Sequence, residues 1–272
     1  MKKRIISLFL VLVVLCTGAM LSGCDGNKKS PDSAEKSVAV IIKEALKKNE
    51  NLDSMSAVMK MEMNMEAEDM TMSIPITAKI KAKNLKSDNM ISFVEMTMSM
   101  LGQEIVMEMY QEGQWAYVVM GDIKYKSNLK DMQGGTDYAN NAKDMLKEIP
   151  EDLLKDVELV KAEDGSQTAT ISFSGETFSE IYNELIKDVI SETGTEMGEI
   201  KISDAVVTIT IDDDFVTVYD VAFTMDMTVE GVSTTTKAKV TLTYENPGQD
   251  VTITPPEGYQ DFEELSMDDS LL

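Results

Sequence analysis

Two hydrophobic periods follow one another along the chain, and each marks a different element. Val38, Ile41, Ile42, Ala45 and Leu46 recur at helical spacing, with Lys43, Glu44, Lys47 and Lys48 between them. That stripe predicts an amphipathic helix. The period then drops to two. Met59, Met61, Met63 and Met65 alternate with Lys60, Glu62, Asn64 and Glu66. Met70, Met72, Ile74, Ile76, Ala78 and Ile80 alternate with Thr71, Ser73, Pro75, Thr77, Lys79 and Lys81. Val94, Met96, Met98 and Met100 repeat the pattern, and Ile105, Met107 and Met109 continue it beyond Leu101-Gly102. Each run predicts a strand with one buried and one wet face. Pro75 falls on the wet side, which predicts an edge strand or a bulge there.

Glu112-Gly113 and Gly121-Asp122 bracket a further strand, Gln114-Trp115-Ala116-Tyr117-Val118-Val119. Around residues 136–148 the pattern loosens to helix (Tyr138, Ala142, Met145, Leu146, Ile149), which Pro150 ends. Val157 to Ala162 and Thr168 to Ser174 predict a hairpin across Glu163-Asp164-Gly165. Thr177 and Glu180 form a capping box for a helix with the stripe Phe178, Ile181, Tyr182, Leu185, Ile186, Val189 and Ile190, which Gly194 stops. Strands return at Val207, Ile209 and Ile211, turn at Asp212-Asp213-Asp214, and alternate again from Phe215 to Val229. Gly231 turns the chain into Ala238, Val240, Leu242 and Tyr244. Short connections between successive strands favour one meandering antiparallel sheet with helices on a single face, an α+β arrangement.

The first residues have another purpose. Met1-Lys2-Lys3-Arg4 precedes an apolar run from Ile5 to Leu15 that is short for a membrane span and proportioned like a secretory leader. It ends Leu21-Ser22-Gly23-Cys24, which resembles the bacterial lipobox. The resemblance implies cleavage before Cys24 and a thioether-linked diacylglycerol on that cysteine. Cys16 leaves with the leader, so Cys24 has no disulfide partner. Two acyl chains suffice for stable anchoring. The expected organisation is a signal peptide at 1–23, a flexible tether at 24–33, a folded domain at 34–260 and an acidic tail at 261–272.

Charge and composition narrow the chemistry. The net charge is −23, and becomes −26 once Lys2, Lys3 and Arg4 are removed. Such a surface argues against nucleic-acid binding and against electrostatic docking on anionic headgroups. Histidine is absent from the sequence, which excludes His-based triads, His metal sites and His pH switches. Ser33-x-x-Lys36 and Ser87-Asp88-Asn89 lack a following Lys-Thr-Gly, so they read as chance, and no enzyme is expected. Methionine is the unusual residue, at 22 in all. Thioethers conform to irregular apolar shapes.

The order of elements resembles the LolA/LppX-like family of exported lipid carriers and lipoproteins. The resemblance is carried by the lipobox, tether and helix ahead of Asn51-Leu52-Asp53-Ser54-Met55, by the hairpin Tyr110 to Tyr117 continuing to Gly121-Asp122-Ile123-Lys124-Tyr125, and by the closing Thr243-Tyr244-Glu245-Asn246-Pro247-Gly248 before Val251 to Pro255. It implies a curved, unclosed antiparallel sheet, a half-barrel wrapping helices on its concave face. It also implies an apolar cavity between sheet and helices. The candidate lining is Met59, Met61, Met63, Met65, Met72, Ile74, Met96, Met98, Met107, Met109, Trp115 and Tyr117. Three readings of the methionine face stay open: a packed core, a wall for a lipid or other apolar ligand, and a Cu(I) site. The expected function is lipid or amphiphile binding without catalysis, with no cofactor. The partners expected are the membrane, through the Cys24 lipid, and such a ligand. The alternative is an envelope sensing or protein-interaction module of the same fold with no ligand.

Overall fold

The chain is a computed structural model that describes residues 37–67, 70–87, 89–100, 102–129, 154, 157–176, 197–229 and 232–264. The helical stripe forms α1 (Val38–Glu50), where Ser37 Oγ accepts a hydrogen bond from the Val40 N–H and Lys47 and Lys48 occupy the last turn. Both features suit the polarity of a helix. The leader, lipobox and tether lie outside the described residues. So do the helices expected around 136–149 and after Thr177.

Alternation yields strands almost everywhere else. They are β1 (Ser54–Ala67), β2 (Met70–Lys83), β3 (Ile91–Met100), β4 (Gln103–Glu112), β5 (Trp115–Met120), β6 (Ile123–Asn128), β7 (Leu159–Lys161), β8 (Gln167–Phe173), β9 (Met197–Asp212), β10 (Phe215–Val229), β11 (Val232–Glu245) and β12 (Glu263–Glu264). They make one large, unclosed, curved sheet in the order β12-β6-β5-β4-β3-β2-β1-β11-β10-β9-β8-β7. Pairing is antiparallel throughout, except that β12 joins β6 in parallel. The strands run outward from β1 to β6, and β11 then closes against β1 in the centre, across 11 consecutive residue pairs.

Register fixes which side chains share a face, because directly opposed residues point the same way. One row reads Ile209, Tyr219, Leu242, Met59, Ala78, Met96, Met107, Met120; the next reads Val207, Val221, Val240, Met61, Ile76, Met98, Ile105. A single apolar face thus spans the sheet. The helix lies on the same side, with Ile42 and Ala45 packed among Ala169, Ile171, Val207, Ile209 and Val216. The methionine half is a regular ladder. The helix-bearing half is not: the β9–β10 register shifts at Val216/Val218, Ala222/Thr224 and Met227/Val229. Such bulges bend and twist a strand pair.

Two expectations need correction. Pro75 lies neither on an edge strand nor at a bulge: β2 is central and its ladder with β1 is unbroken through the Glu62–Pro75 pair. The β2–β3 ladder instead stops at Ile76, so the proline, which lacks an N–H, sits just past its end. The sheet also extends beyond residue 260. Tyr259–Asp261 forms a 3₁₀ turn, Phe262 is buried, and Glu263–Glu264 is β12. Apolar Phe262, set among acids, anchors what composition alone reads as tail.

Candidate functional site

The predicted lining divides sharply between the two faces. Met59, Met61, Met63, Met65, Met72, Ile74, Met96, Met98, Met107 and Met109 all occupy the apolar face. Met59 and Met61 are 1% exposed and Ile74 is 2%. Met65, Met72, Met98, Met107 and Met109 are partly buried around them. Isoleucine and alanine are interleaved, Ala78 standing between Met59 and Met96, and Ile76 between Met61 and Met98. Three methionines meet on adjacent strands in the row Met96, Met107, Met120, whose outer members stand about 10 Å apart at the backbone.

Trp115 and Tyr117 lie on the opposite face. Val118 pairs with Met109 and Tyr117 with Tyr110, so the aromatic positions of β5 point away from the methionines. Sequence could not show this, because β5 is apolar at both parities. There, Tyr259 packs edge-on against Tyr110 and Tyr117 at 5.1 and 4.9 Å, and Phe262 covers Tyr117 at 6.2 Å. Tyr259 donates a hydrogen bond to Glu112 Oε2 at 3.1 Å. Burial, then the Glu112 charge, pushes the Tyr110 hydroxyl up to about 12. This aromatic group holds the C-terminal segment on the outside of the sheet.

On the apolar face the buried residues separate into two clusters. One is centred on Met59, Met61, Ile74 and Ile76 of β1 and β2; the other, under α1, on Ile171, Val207 and Ile209. Between them run β10 and β11, and there the pattern changes. Tyr219, Val221, Phe223, Val240 and Tyr244 are only half-buried, although fully buried side chains flank them on both sides. Tyr219 and Phe223 pack against both clusters. Desolvation nevertheless raises the Tyr219 hydroxyl far above its usual range, with the neighbouring Tyr244 adding to it. Desolvation also lifts Tyr244 to about 12, against the lowering effect of its hydrogen bond with Asn49. Tyr219 and Tyr244 thus lose solvation yet keep some accessible surface. From Tyr244 to Ala238 that seam is about 20 Å long.

Asn49 positions one end of the seam. Its Nδ2 donates to the Val216 carbonyl at 2.8 Å and its Oδ1 accepts from the Val216 N–H at 2.9 Å. The side chain thus extends the ladder from helix to strand where β10 is irregular. Lys48 secures the same corner, donating to the Asp213 carbonyl at 2.8 Å and lying 4.0 Å over the Phe215 ring. Asp213 and Asp214, both at positive φ, form the tight hairpin expected of the Asp212–Asp214 run. At the other end, Thr236 faces the seam between Met225 and Met65; it is 3% exposed, and its Oγ1 has no hydrogen-bond partner among the described residues. Among the described residues no group of three or more His, Cys, Asp or Glu could hold a metal ion.

A family model described as a family of unknown function, DUF6612, matches residues 37–259. The chain belongs to that family. The DUF6612 match begins at the cap of α1 and ends at Tyr259 of the outer aromatic group, so it contains the helix, both core clusters and the seam. Among solved structures, LprF from Mycobacterium bovis is similar at 14% identity, over 81% of this chain and 97% of that one, with a TM-score of 0.44. A beta-barrel-like protein of domain of unknown function DUF1849 from Brucella abortus is similar at 11% identity, over 72% and 100%, with a TM-score of 0.22. Neither likeness carries a functional assignment. Comparison with curated proteins gives no match.

The residues of the seam escape sequence reasoning for two reasons. Tyr219, Phe223 and Tyr244 lie in ordinary alternating runs, and nothing in a period of two tells a packed position from one beside a recess. Thr236 is hidden within Ser233-Thr234-Thr235-Thr236-Lys237, which is polar on both faces.

Proposed function

We propose that this DUF6612 protein is a membrane-anchored, extracytoplasmic lipoprotein that binds the apolar part of a lipid or similar amphiphile between its two core clusters, without reacting it. The single observation that carries this reading is the half-burial of Tyr219, Val221, Phe223, Val240 and Tyr244 between the two buried clusters of the apolar face. A ligand-free core would close over those side chains, because leaving large apolar groups short of contact is unfavourable. A seam of about 20 Å accommodates a chain from one bilayer leaflet, about 15 Å of hydrocarbon. Its conformable methionine wall suits acyl chains of varied outline. Binding would draw on apolar area removed from water, at about 25 cal/mol per Å². The half-barrel closed by further helices, the Cys24 lipid and the extracytoplasmic location belong to the same proposal, and the lipobox supports the last two.

The test is uptake by delipidated protein. A fluorescent fatty-acid or phospholipid analogue should bind saturably, and the protein as purified should release lipid detectable by mass spectrometry. Absence of both would leave an anchored interaction module as the better reading.

A further inference from the structure

We infer, building on that reading, that the buried polar part of the ligand is uncharged and is hydrogen-bonded by Thr236 Oγ1 at the far end of the seam. From β6 across to β8, no paired position on the apolar face carries Asp, Glu, Lys or Arg. Lys237 and Lys239, the basic neighbours of Thr236 on β11, have the opposite parity, and Lys237 pairs with Glu66 at 3.9 Å. Lys48, at the Tyr244 end, is held by the Asp213 carbonyl and the Phe215 ring, so among the described residues a carboxylate or phosphate drawn to the Thr236 end would meet no cation on the apolar face, and burying an unpaired ion is strongly unfavourable. A charged headgroup must stay outside; an ester carbonyl or alcohol need not.

Thr236 gives that neutral group a place. A buried hydroxyl without a partner carries an uncompensated desolvation cost, so most such groups in folded proteins are satisfied. Here the hydroxyl lies one row beyond Phe223 and Ala238, where the half-buried stretch ends. It can donate to a carbonyl or accept from an alcohol. Tyr219 and Tyr244 hold hydroxyls at the opposite end that are neutral at ordinary pH. The ligand class this selects is a glycerol ester or long-chain alcohol, rather than a fatty acid entering carboxylate-first.

The experiment measures equilibrium binding of three probes to the delipidated full chain: 1-monooleoylglycerol, oleate and hexadecane. Wild type should prefer monooleoylglycerol to oleate. Thr236→Val, which keeps the shape and removes the hydroxyl, should weaken monooleoylglycerol about three- to tenfold and leave hexadecane unchanged. Thr236→Ser should restore wild-type binding. The unliganded Val variant should be at least as stable as wild type, because it loses an unsatisfied group, so misfolding is checked in the same samples. The inference is overturned if Thr236→Val leaves monooleoylglycerol binding intact, if it weakens hexadecane equally, or if oleate binds as tightly as the glycerol ester. Binding of none of the probes would instead overturn the proposed function itself.

Discussion

Tyrosine hydroxyls report most directly on what the fold removes from water, Tyr110 on the outer face and Tyr219 and Tyr244 along the seam. Tyr110 and Tyr244 are pushed up to about 12 and Tyr219 is raised further, in each case mainly by desolvation. A folded value above the unfolded one means that the neutral phenol is favoured by folding. The stability this confers is complete below about pH 10 and is lost as pH climbs towards the folded values. Alkaline titration should therefore show delayed tyrosinate absorbance together with falling stability. Tyr244→Phe should recover about 1 kcal/mol of the loss seen at pH 11. Normal ionisation of Tyr219 and Tyr244 in the folded state would mean that the seam is open to water. Residue type was legible in sequence, and so was parity along the methionine strands. Trp115 and Tyr117 were not, since β5 presents apolar side chains to both sides and only its pairing with Tyr110 and Met109 decides between them.

Among the elements, α1 and the long strands are written plainly in their periods. Val38 to Leu46 gives the helix, and the alternation from Met59 to Met109 gives β1 to β4. How they are joined is less visible. The central β1–β11 pairing brings together residues nearly 190 positions apart, Ser56 and Glu245 among them, and no local pattern encodes it. Asn49 is similar: it reads as a surface residue at the end of a helix, yet it makes two hydrogen bonds to the backbone of Val216, itself 1% exposed. Removing its amide leaves a buried N–H and carbonyl unpaired. Asn49→Ala should therefore cost about 2–4 kcal/mol in denaturant unfolding, with a change well under 1 kcal/mol contradicting the role. The same change should loosen the Tyr244 end of the seam. The short β12 was equally hidden, because two glutamates carry no strand signal; Phe262 and the ring of Tyr259 dock the segment and the pairing follows.

For the whole molecule, the sheet separates three tasks. Its outer face is polar, with pairs such as Lys79–Glu95 at 2.7 Å. The aromatic group beneath Tyr259 and Phe262 fastens the C-terminal segment to that outer face. The paired strand positions of the inner face carry no charge from β6 to β8, and two buried clusters there flank a softer seam. The most direct measurement is contact quenching by a lipid that carries bromine on its acyl chain. Trp115 is the protein's single tryptophan and lies on the outer face, so brominated monooleoylglycerol should leave its emission unchanged. Trp115→Phe combined with Phe223→Trp moves the reporter into the seam, and the same lipid should then quench it saturably. Quenching of Trp115 with none at position 223 would place the ligand on the other side of the sheet, and quenching at neither would mean that the seam holds no acyl chain.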